Sequence, residues 1–189
     1  MERAKHWGNR HFAAVTAVAI GTLIGSPASA QSPLLDELRF GVMAHSIESG
    51  HSEGGADVNL ELLLRRPAIS FGHAVADFVF RPRVHVGAAI NTIGDTSQFY
   101  AGFTWDLKIT ERLSLEASFG GALHDGPLDG SAADRYGCRV NFRESASLGY
   151  ALDEYWTVYA TVTHMSNADL CSSNSGITSA GIRIGYKFR

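Results

Sequence analysis

Several features that would assign a chain to a common protein class are scarce in this sequence of 189 residues. It contains two cysteines and five prolines, and its formal net charge is only −3. Two cysteines are too few for a disulfide-rich scaffold, and nothing in the charge favours a nucleic-acid partner. Beyond residue 30, no stretch approaches the ~20 continuous apolar residues that a membrane-spanning helix needs. A nucleic-acid-binding protein and a helical membrane protein are therefore not expected.

The N-terminus has the organisation of a secretory signal peptide. Three basic residues precede the apolar run FAAVTAVAIGTLI, and the small residues ASA end at position 30. We therefore predict a signal peptide over residues 1–30 and a single mature domain over residues 31–189. Because export leads to an oxidising compartment, Cys138 and Cys171 are expected to form one disulfide.

Apolar and polar residues alternate with a period of two through most of the mature chain, which is typical of β-strands. The sequence contains eight such segments, at about residues 38–44, 58–64, 84–90, 99–107, 113–119, 140–150, 156–162 and 182–188. Charged groups occupy the polar face of nearly every segment. The fold class predicted is therefore all-β and antiparallel.

This alternation has two interpretations, a water-soluble sandwich and a transmembrane β-barrel with lipid-facing apolar residues. Three features favour the eight-stranded membrane barrel. The segments extend to ~9–11 residues, which is long enough to cross a bilayer. Aromatic residues lie near segment ends, where interfacial girdles occur. The chain also ends on an alternating aromatic strand, GIRIGYKF. The predicted location is the outer membrane.

An even number of strands places both termini on the periplasmic side. The connections KITER and LDEY then become short periplasmic turns, and those around residues 46–56, 91–97, 124–137 and 168–176 become external loops. The stretch RRPAISFGHAVADFVFRP is long for a periplasmic turn, and the pattern does not decide whether it extends the second and third strands.

The seventh strand carries an unusual pair of polar residues near its outer end. His164 and Ser166 share the parity of the lipid-facing residues of that strand. A polar group facing hydrocarbon costs free energy unless it is satisfied. The pair therefore suggests a nucleophile and base that act on a lipid at the outer leaflet, although polar residues in the headgroup zone are a purely structural alternative. His45, His85 and His124 are too dispersed to predict a metal site.

The segment HMSNADL resembles the H-x-S-N-A segment of the PagL-type lipid A 3-O-deacylases, and weaker similarity extends from LRFGVMAH through FRESASLGY to GIRIGYKF. The resemblance implies an outer-membrane barrel that removes an ester-linked acyl chain from lipid A of the lipopolysaccharide, without calcium or another cofactor. It also implies that His164 is the general base and Ser166 the nucleophile.

The sequence departs from that family at the acidic member of the triad. The family has a glutamate about a dozen residues after the serine, where this chain has Thr178 or a neighbour, and no acidic residue follows Cys171. Glu144 is our predicted substitute. With a hairpin that turns at residues 152–154, Phe142 would face His164 and Glu144 would lie diagonal to it.

Several alternatives remain open from the sequence. A one-residue bulge could turn Glu144 into the barrel to join Arg139 and Arg143. Asp169 is a second candidate acid. Asn167 is a candidate amide donor to the oxyanion, or else a turn residue.

The functional interpretation is therefore an outer-membrane esterase that hydrolyses a 3-O-acyl chain of lipid A by a Ser/His mechanism. The alternative is a non-catalytic small barrel, structural or adhesive, that has lost the family's acid. The sequence leaves open which chain is removed, how activity is restrained and whether the barrel forms a homodimer.

Overall fold

Eight antiparallel strands form a closed barrel in the computed structural model, which describes residues 34–188. The strands are β1 Leu35–Ala44, β2 Ala56–Leu64, β3 Arg83–Asn91, β4 Gln98–Lys108, β5 Leu113–His124, β6 Val140–Ala151, β7 Trp156–Ser166 and β8 Ile177–Lys187. Each strand pairs with its sequence neighbour, and β1 pairs with β8 to close the sheet. The predicted fold class is confirmed. The predicted signal peptide lies outside the described residues.

The period-two alternation separates the inner and outer faces of the wall. Along β7, buried residues such as Thr157, Tyr159 and Thr161 alternate with exposed or half-exposed ones such as Trp156 and Val162. Large apolar side chains on the outer face are exposed on every strand, because no part of residues 34–188 covers them. This outward apolar band is the surface that a barrel presents to lipid.

The barrel interior contains a network of paired charges as well as a small apolar cluster that includes Tyr100, Met165 and Ile177. Arg39 contacts Glu116 at 2.7 Å and Glu37 at 2.9 Å, and Arg83 contacts the same two carboxylates at 2.8 Å. Arg183 pairs with Glu61 at 2.9 Å. Buried charges are stable only when they are paired and hydrogen-bonded. The wall is therefore supported from inside by a network that depends on residues from many strands.

The two ends of the barrel differ in the length of their connections. Both described termini, the turns of residues 109–112 and 152–155 and the long connection 65–82 lie at one end, and the connections 45–55, 92–97, 125–139 and 167–176 lie at the other. Apart from the connection 65–82, the first end has the shorter connections. Short periplasmic turns and longer external loops are the usual asymmetry of such barrels. We refer to the second end as the outer end.

The long connection between β2 and β3 contains a short helix, α1 (Ala74–Phe80), a feature that the alternation pattern did not predict. Trp105 on the outer face of β4 donates its indole N–H to the carbonyl of Val79 at 3.0 Å, which holds the helix against the outside of the wall. Among residues 34–188, no helix is long and apolar enough to cross a membrane.

Candidate active site

His164 and Ser166 lie on the outer face of β7, at its outer end. The two side chains are half-buried, whereas Thr163, Met165 and Asn167 between and beside them point inward and are buried. The imidazole of His164 is 35% exposed. The site is therefore open toward the position of the outer leaflet.

The imidazole of His164 is hydrogen-bonded on one side only. Its Nδ1 lies 2.8 Å from the hydroxyl oxygen of Thr178 on β8, and this hydroxyl lies 2.5 Å from Oε1 of Glu48. Because a carboxylate can only accept, the threonine proton is donated to Glu48, and Nδ1 must then carry the proton that it shares with the threonine oxygen. Within the described part of the chain, nothing hydrogen-bonds to Nε2. In a neutral ring this tautomer has its lone pair on Nε2.

Closure of the barrel brings Glu48 to this position. The last pair between β1 and β8 is Ala44 with Ala180, and the backbone N–H of Ile47 then donates to the carbonyl of Thr178 at 2.8 Å. Between these two contacts the chain bends at Ser46, whose φ of 47° lies in the left-handed region. A non-glycine residue in that region is held there by surrounding structure. The bend places the side chain of Glu48 over Thr178.

Sequence reasoning did not find Glu48, because it considered only the last three strands. A signal was nevertheless available: a closed eight-stranded barrel must pair its first strand with its last. The loop that follows β1 therefore lies beside the outer end of β8, and Glu48 and Glu53 are the acidic residues of that loop closest to β1.

The predicted register between β6 and β7 is wrong by two residues. Glu144 lies directly opposite His164, and Phe142 lies opposite Ser166. The turn is displaced by one residue along the chain. The backbone N–H of Leu152 donates to the carbonyl of Trp156 at 2.9 Å, and the side chain of Asp153 accepts the backbone N–H groups of Tyr155 and Trp156 at 2.8 Å.

The corrected register brings Glu144 beside the imidazole, but it does not make Glu144 its partner. Pairing is continuous from Arg143 to Ser145, so no bulge turns Glu144 inward, and its side chain is half-buried on the outer face. Throughout residues 34–188, neither a hydrogen bond nor an ion pair joins Glu144 to His164. The carboxylate nearest to Nδ1 is that of Glu48, at 3.8 Å.

Asn167 begins a turn, the second of the two roles that the sequence left open, because its carbonyl accepts the backbone N–H of Leu170 at 3.1 Å. Its side-chain amide donates to the carbonyls of Tyr136 and Ser173 at 2.8 and 2.6 Å, and its backbone N–H donates to Asn174 at 2.9 Å. These donors are therefore occupied, and the residue clamps two external loops together. Asp169 is exposed and accepts a hydrogen bond from Asn174 at 2.9 Å, away from the imidazole.

Cys138 and Cys171 form a disulfide, with their Cα atoms 5.8 Å apart. The bond joins the loop before β6 to the loop after β7. It reinforces the same junction that Asn167 clamps.

An apolar groove lies next to Ser166 on the outer face. It has a volume of about 440 Å³ and is lined by Phe119, Val140, Phe142 and Leu170, among others. Phe142 faces Ser166 across the β6–β7 pair and stacks on Phe119 with the ring centroids 5.8 Å apart. The groove therefore extends over β5 and β6, and Phe142 is the lining residue that faces Ser166.

The outer loops contain a cluster of charges around His45. Its ring nitrogens lie 2.9 Å from Asp57 and 3.2 Å from Glu53. Burial lowers the pKa of His45, but the hydrogen bonds to these carboxylates outweigh burial and raise it to about 9. No group of three or more potential ligands in the described chain is arranged to hold a metal ion.

Comparison with known proteins identifies the family. Curated protein sequences give no significant match. A family model described as lipid A 3-O-deacylase (PagL) matches residues 80–187, which is more than half of the chain. The crystal structure of the outer membrane enzyme PagL has a TM-score of 0.58 at 18% identity, covering 79% of this chain and 98% of that one. The crystal structure of Neisserial surface protein A (NspA) has a TM-score of 0.54 at 12% identity, covering 83% of this chain and 98% of that one. These two likenesses show the shared barrel fold, and the family match shows that the chain belongs to the lipid A 3-O-deacylase (PagL) family of outer-membrane β-barrels.

Proposed function

We propose that this protein is an esterase that hydrolyses an ester-linked 3-O-acyl chain of lipid A, with Ser166 as nucleophile and His164 as general base. The observation that carries the proposal is the imidazole on the lipid-facing wall. Its Nδ1 is held by Thr178, and its Nε2 is free and faces the same side as a serine two residues along the strand. A base needs this tautomer to accept the proton of a hydroxyl.

The reaction follows from the roles of these two side chains. Ser166 Oγ attacks the ester carbonyl while its proton moves to His164 Nε2. The bond between the carbonyl carbon and the sugar oxygen then breaks, and the imidazolium returns the proton to that oxygen. Water, deprotonated by the same imidazole, attacks the acyl-enzyme and releases the fatty acid, which regenerates the serine hydroxyl.

His164 and Ser166 are not hydrogen-bonded to one another in the described chain, although they share a face. Catalytic hydrogen bonds are often long without substrate and shorten when the substrate is bound. Both side chains lie on the same face of one strand, two residues apart, which keeps them close enough for such a change to be local.

The apolar groove beside Ser166 supports a substrate with a long hydrocarbon chain. It begins at Phe142, opposite the serine, and is almost entirely apolar. An acyl chain that lies in the groove contacts protein instead of the neighbouring lipid, and its carbonyl end is directed toward Ser166. The position at the outer end matches the leaflet in which lipopolysaccharide resides.

The test is hydrolysis of purified lipid A by the protein refolded in detergent, with the products identified by mass spectrometry. Wild type should release a 3-hydroxy fatty acid, and Ser166→Ala and His164→Gln should release none above background. Heat-dependent migration on gels reports whether each variant is a folded barrel. If folded wild type releases no fatty acid, or if Ser166→Ala remains active, the proposal is wrong. The first of these results favours the non-catalytic barrel.

A further inference from the structure

We propose that Glu48, in the first external loop, is the carboxylate that orients His164, and that it acts through the hydroxyl of Thr178. This inference rests on the proposed Ser166 and His164 pair. The family's glutamate on the last strand is absent here, and Glu48, near the other end of the mature chain, takes its role. Glu48 and Thr178 are positioning residues, because neither touches the reacting atoms.

The proton inventory supports this assignment. A threonine hydroxyl has one proton and two lone pairs. Because the hydroxyl of Thr178 donates its proton to Oε1 of Glu48 at 2.5 Å, its oxygen can only accept a hydrogen bond from Nδ1 of His164 at 2.8 Å. The carboxylate thereby determines which imidazole nitrogen is protonated, although it does not touch the ring through a hydrogen bond. Without a strong acceptor at residue 48, the hydroxyl could instead donate to Nδ1, and Nε2 would carry the proton and could not act as a base.

Charge favours the same arrangement. When Nε2 takes the serine proton, the imidazole becomes a cation, and Glu48 Oε1 lies 3.8 Å from Nδ1. A carboxylate at this distance stabilises the cation, although partial exposure of both groups screens the attraction. The other carboxylate oxygen lies 3.5 Å from Nε2 of His51, a second residue of the same loop, and has no hydrogen-bond partner among the described residues. The hydrogen bond from Thr178 is therefore the contact that positions the carboxylate.

The position of Glu48 is determined by the fold and not by a flexible side chain alone. The backbone contact from Ile47 to Thr178 and the left-handed bend at Ser46 precede it directly. Thr178 is β-branched and so has few side-chain rotamers. Both members of the relay are thus constrained before substrate binds.

Two pairs of variants test the proposal by kcat and KM for lipid A in the detergent assay. Glu48→Gln should lower kcat by roughly 10- to 100-fold with little change in KM, which is less than the ~10⁴ lost when a buried triad carboxylate is removed. Its matched comparison is Glu144→Gln, at the carboxylate opposite His164, which should retain activity within about twofold because it is not bonded to the ring.

The second pair isolates the hydroxyl. Thr178→Val preserves the shape of the side chain but removes the acceptor of Nδ1, and it should lose at least as much kcat as Glu48→Gln. Thr178→Ser keeps the hydroxyl and should retain most of the activity. Thr178→Glu should partly restore kcat in the Glu48→Gln background, because it places a carboxylate on β8 opposite His164.

A spectroscopic measurement separates positioning from general damage to the fold. In protein labelled with ¹⁵N-histidine, the ¹⁵N shifts of His164 should show a neutral ring protonated on Nδ1 in wild type. In Glu48→Gln they should show increased protonation on Nε2, while Glu144→Gln resembles wild type. This result is independent of turnover, so it would stand even if Ser166→Ala proved that the protein is not an esterase of the proposed kind.

Two results would overturn the proposal. The first is full activity in Glu48→Gln together with an unchanged tautomer. The second is loss of activity and of the Nδ1-protonated form in Glu144→Gln while Glu48→Gln keeps both, which would identify the carboxylate opposite His164 as the partner.

Discussion

Gly176 offers a test of how closely the loop before β8 must approach the imidazole of His164, our proposed general base. Its φ is 71°, a conformation that side chains disfavour. A Cβ added at this position would lie 3.2 Å from Cε1 and 3.6 Å from Nε2 of His164. The substitution Gly176→Ala therefore pushes on the edge of the ring that carries the free nitrogen.

The magnitude of the effect follows from these distances. Carbon atoms pack best at about 3.5–4.0 Å, so the ring must move by a few tenths of an ångström. Because Nδ1 is tethered to Thr178, this motion displaces Nε2 from the serine. A 1 Å misplacement in an active site costs about 10²-fold in rate, and we therefore expect kcat to fall roughly 10-fold. The left-handed backbone adds about 1 kcal/mol of destabilisation.

The matched control is Gly94→Ala in the loop between β3 and β4. Gly94 has a φ of 93°, and a Cβ there would meet nothing within 4 Å. It should therefore show a similar loss of unfolding free energy in denaturant titrations but unchanged kcat. Comparing kcat of Gly176→Ala and Gly94→Ala separates the effect of backbone strain from the effect of displacing His164.

Two outcomes would refute the reasoning about Gly176. If Gly176→Ala keeps wild-type kcat, the close approach of residue 176 does not control the position of the base. If Gly94→Ala loses as much kcat as Gly176→Ala, the loss comes from loop strain and not from displacement of His164.

Two further predictions concern the outer loops. Thiol titration of the unfolded, unreduced protein should find no free thiol. Replacing both Cys138 and Cys171 by serine should lower stability by up to ~4 kcal/mol, because the disulfide closes a loop with a sequence separation of 33. Faster proteolysis of the outer loops measures this loss. Despite burial, Asp57 and Glu53 raise the pKa of His45 from 6.5 to about 9. Its stabilising charge is therefore fully present below about pH 6.5 and is lost as pH rises through 9. Proteolysis of the outer loops should accelerate over that interval in wild type, and His45→Gln should remove the pH dependence.

Strand number, strand position and the facing of side chains could be predicted from the sequence, because a strand in a membrane barrel has two different environments that alternate with each residue. The segment at 156–162, for example, continues without interruption to Ser166 in β7, so its parity alone placed His164 outside. The register could not be predicted in the same way. It depends on a single turn, where one side chain, Asp153, accepts two backbone N–H groups and shifts the pairing by two residues.

Helix α1 was not predicted, for a related reason. Its seven residues are too few to show a helical period, and the segment contains apolar side chains such as Val75 and Val79 that also suit a strand. Its position is determined by a tertiary contact, the hydrogen bond from Trp105 to the carbonyl of Val79. Short elements of this kind are specified by what they dock against.

Glu48, the carboxylate that we propose, was not predicted because residues far apart in the sequence can be neighbours in a closed sheet. Glu48 and Thr178 are separated by 130 positions, yet β1 and β8 are adjacent strands. Glu144, by contrast, is close to His164 both in the sheet and along the chain, but it is not bonded to it. For identifying the carboxylate that acts on an imidazole, adjacency on a strand face is therefore a weaker criterion than an unbroken path of hydrogen-bond donors and acceptors.

The use of a loop carboxylate has a physical consequence for how such a site is assembled. A glutamate on β8 would be present whenever the strand is formed, whereas Glu48 requires the β1–β8 closure, the left-handed bend at Ser46 and the contact from Ile47 to Thr178. In the proposed relay, the imidazole tautomer with a protonated Nδ1 is stabilised only when β1 is paired with β8 and the first external loop has its folded conformation. The proposed relay therefore couples the activity of His164 to closure of the barrel.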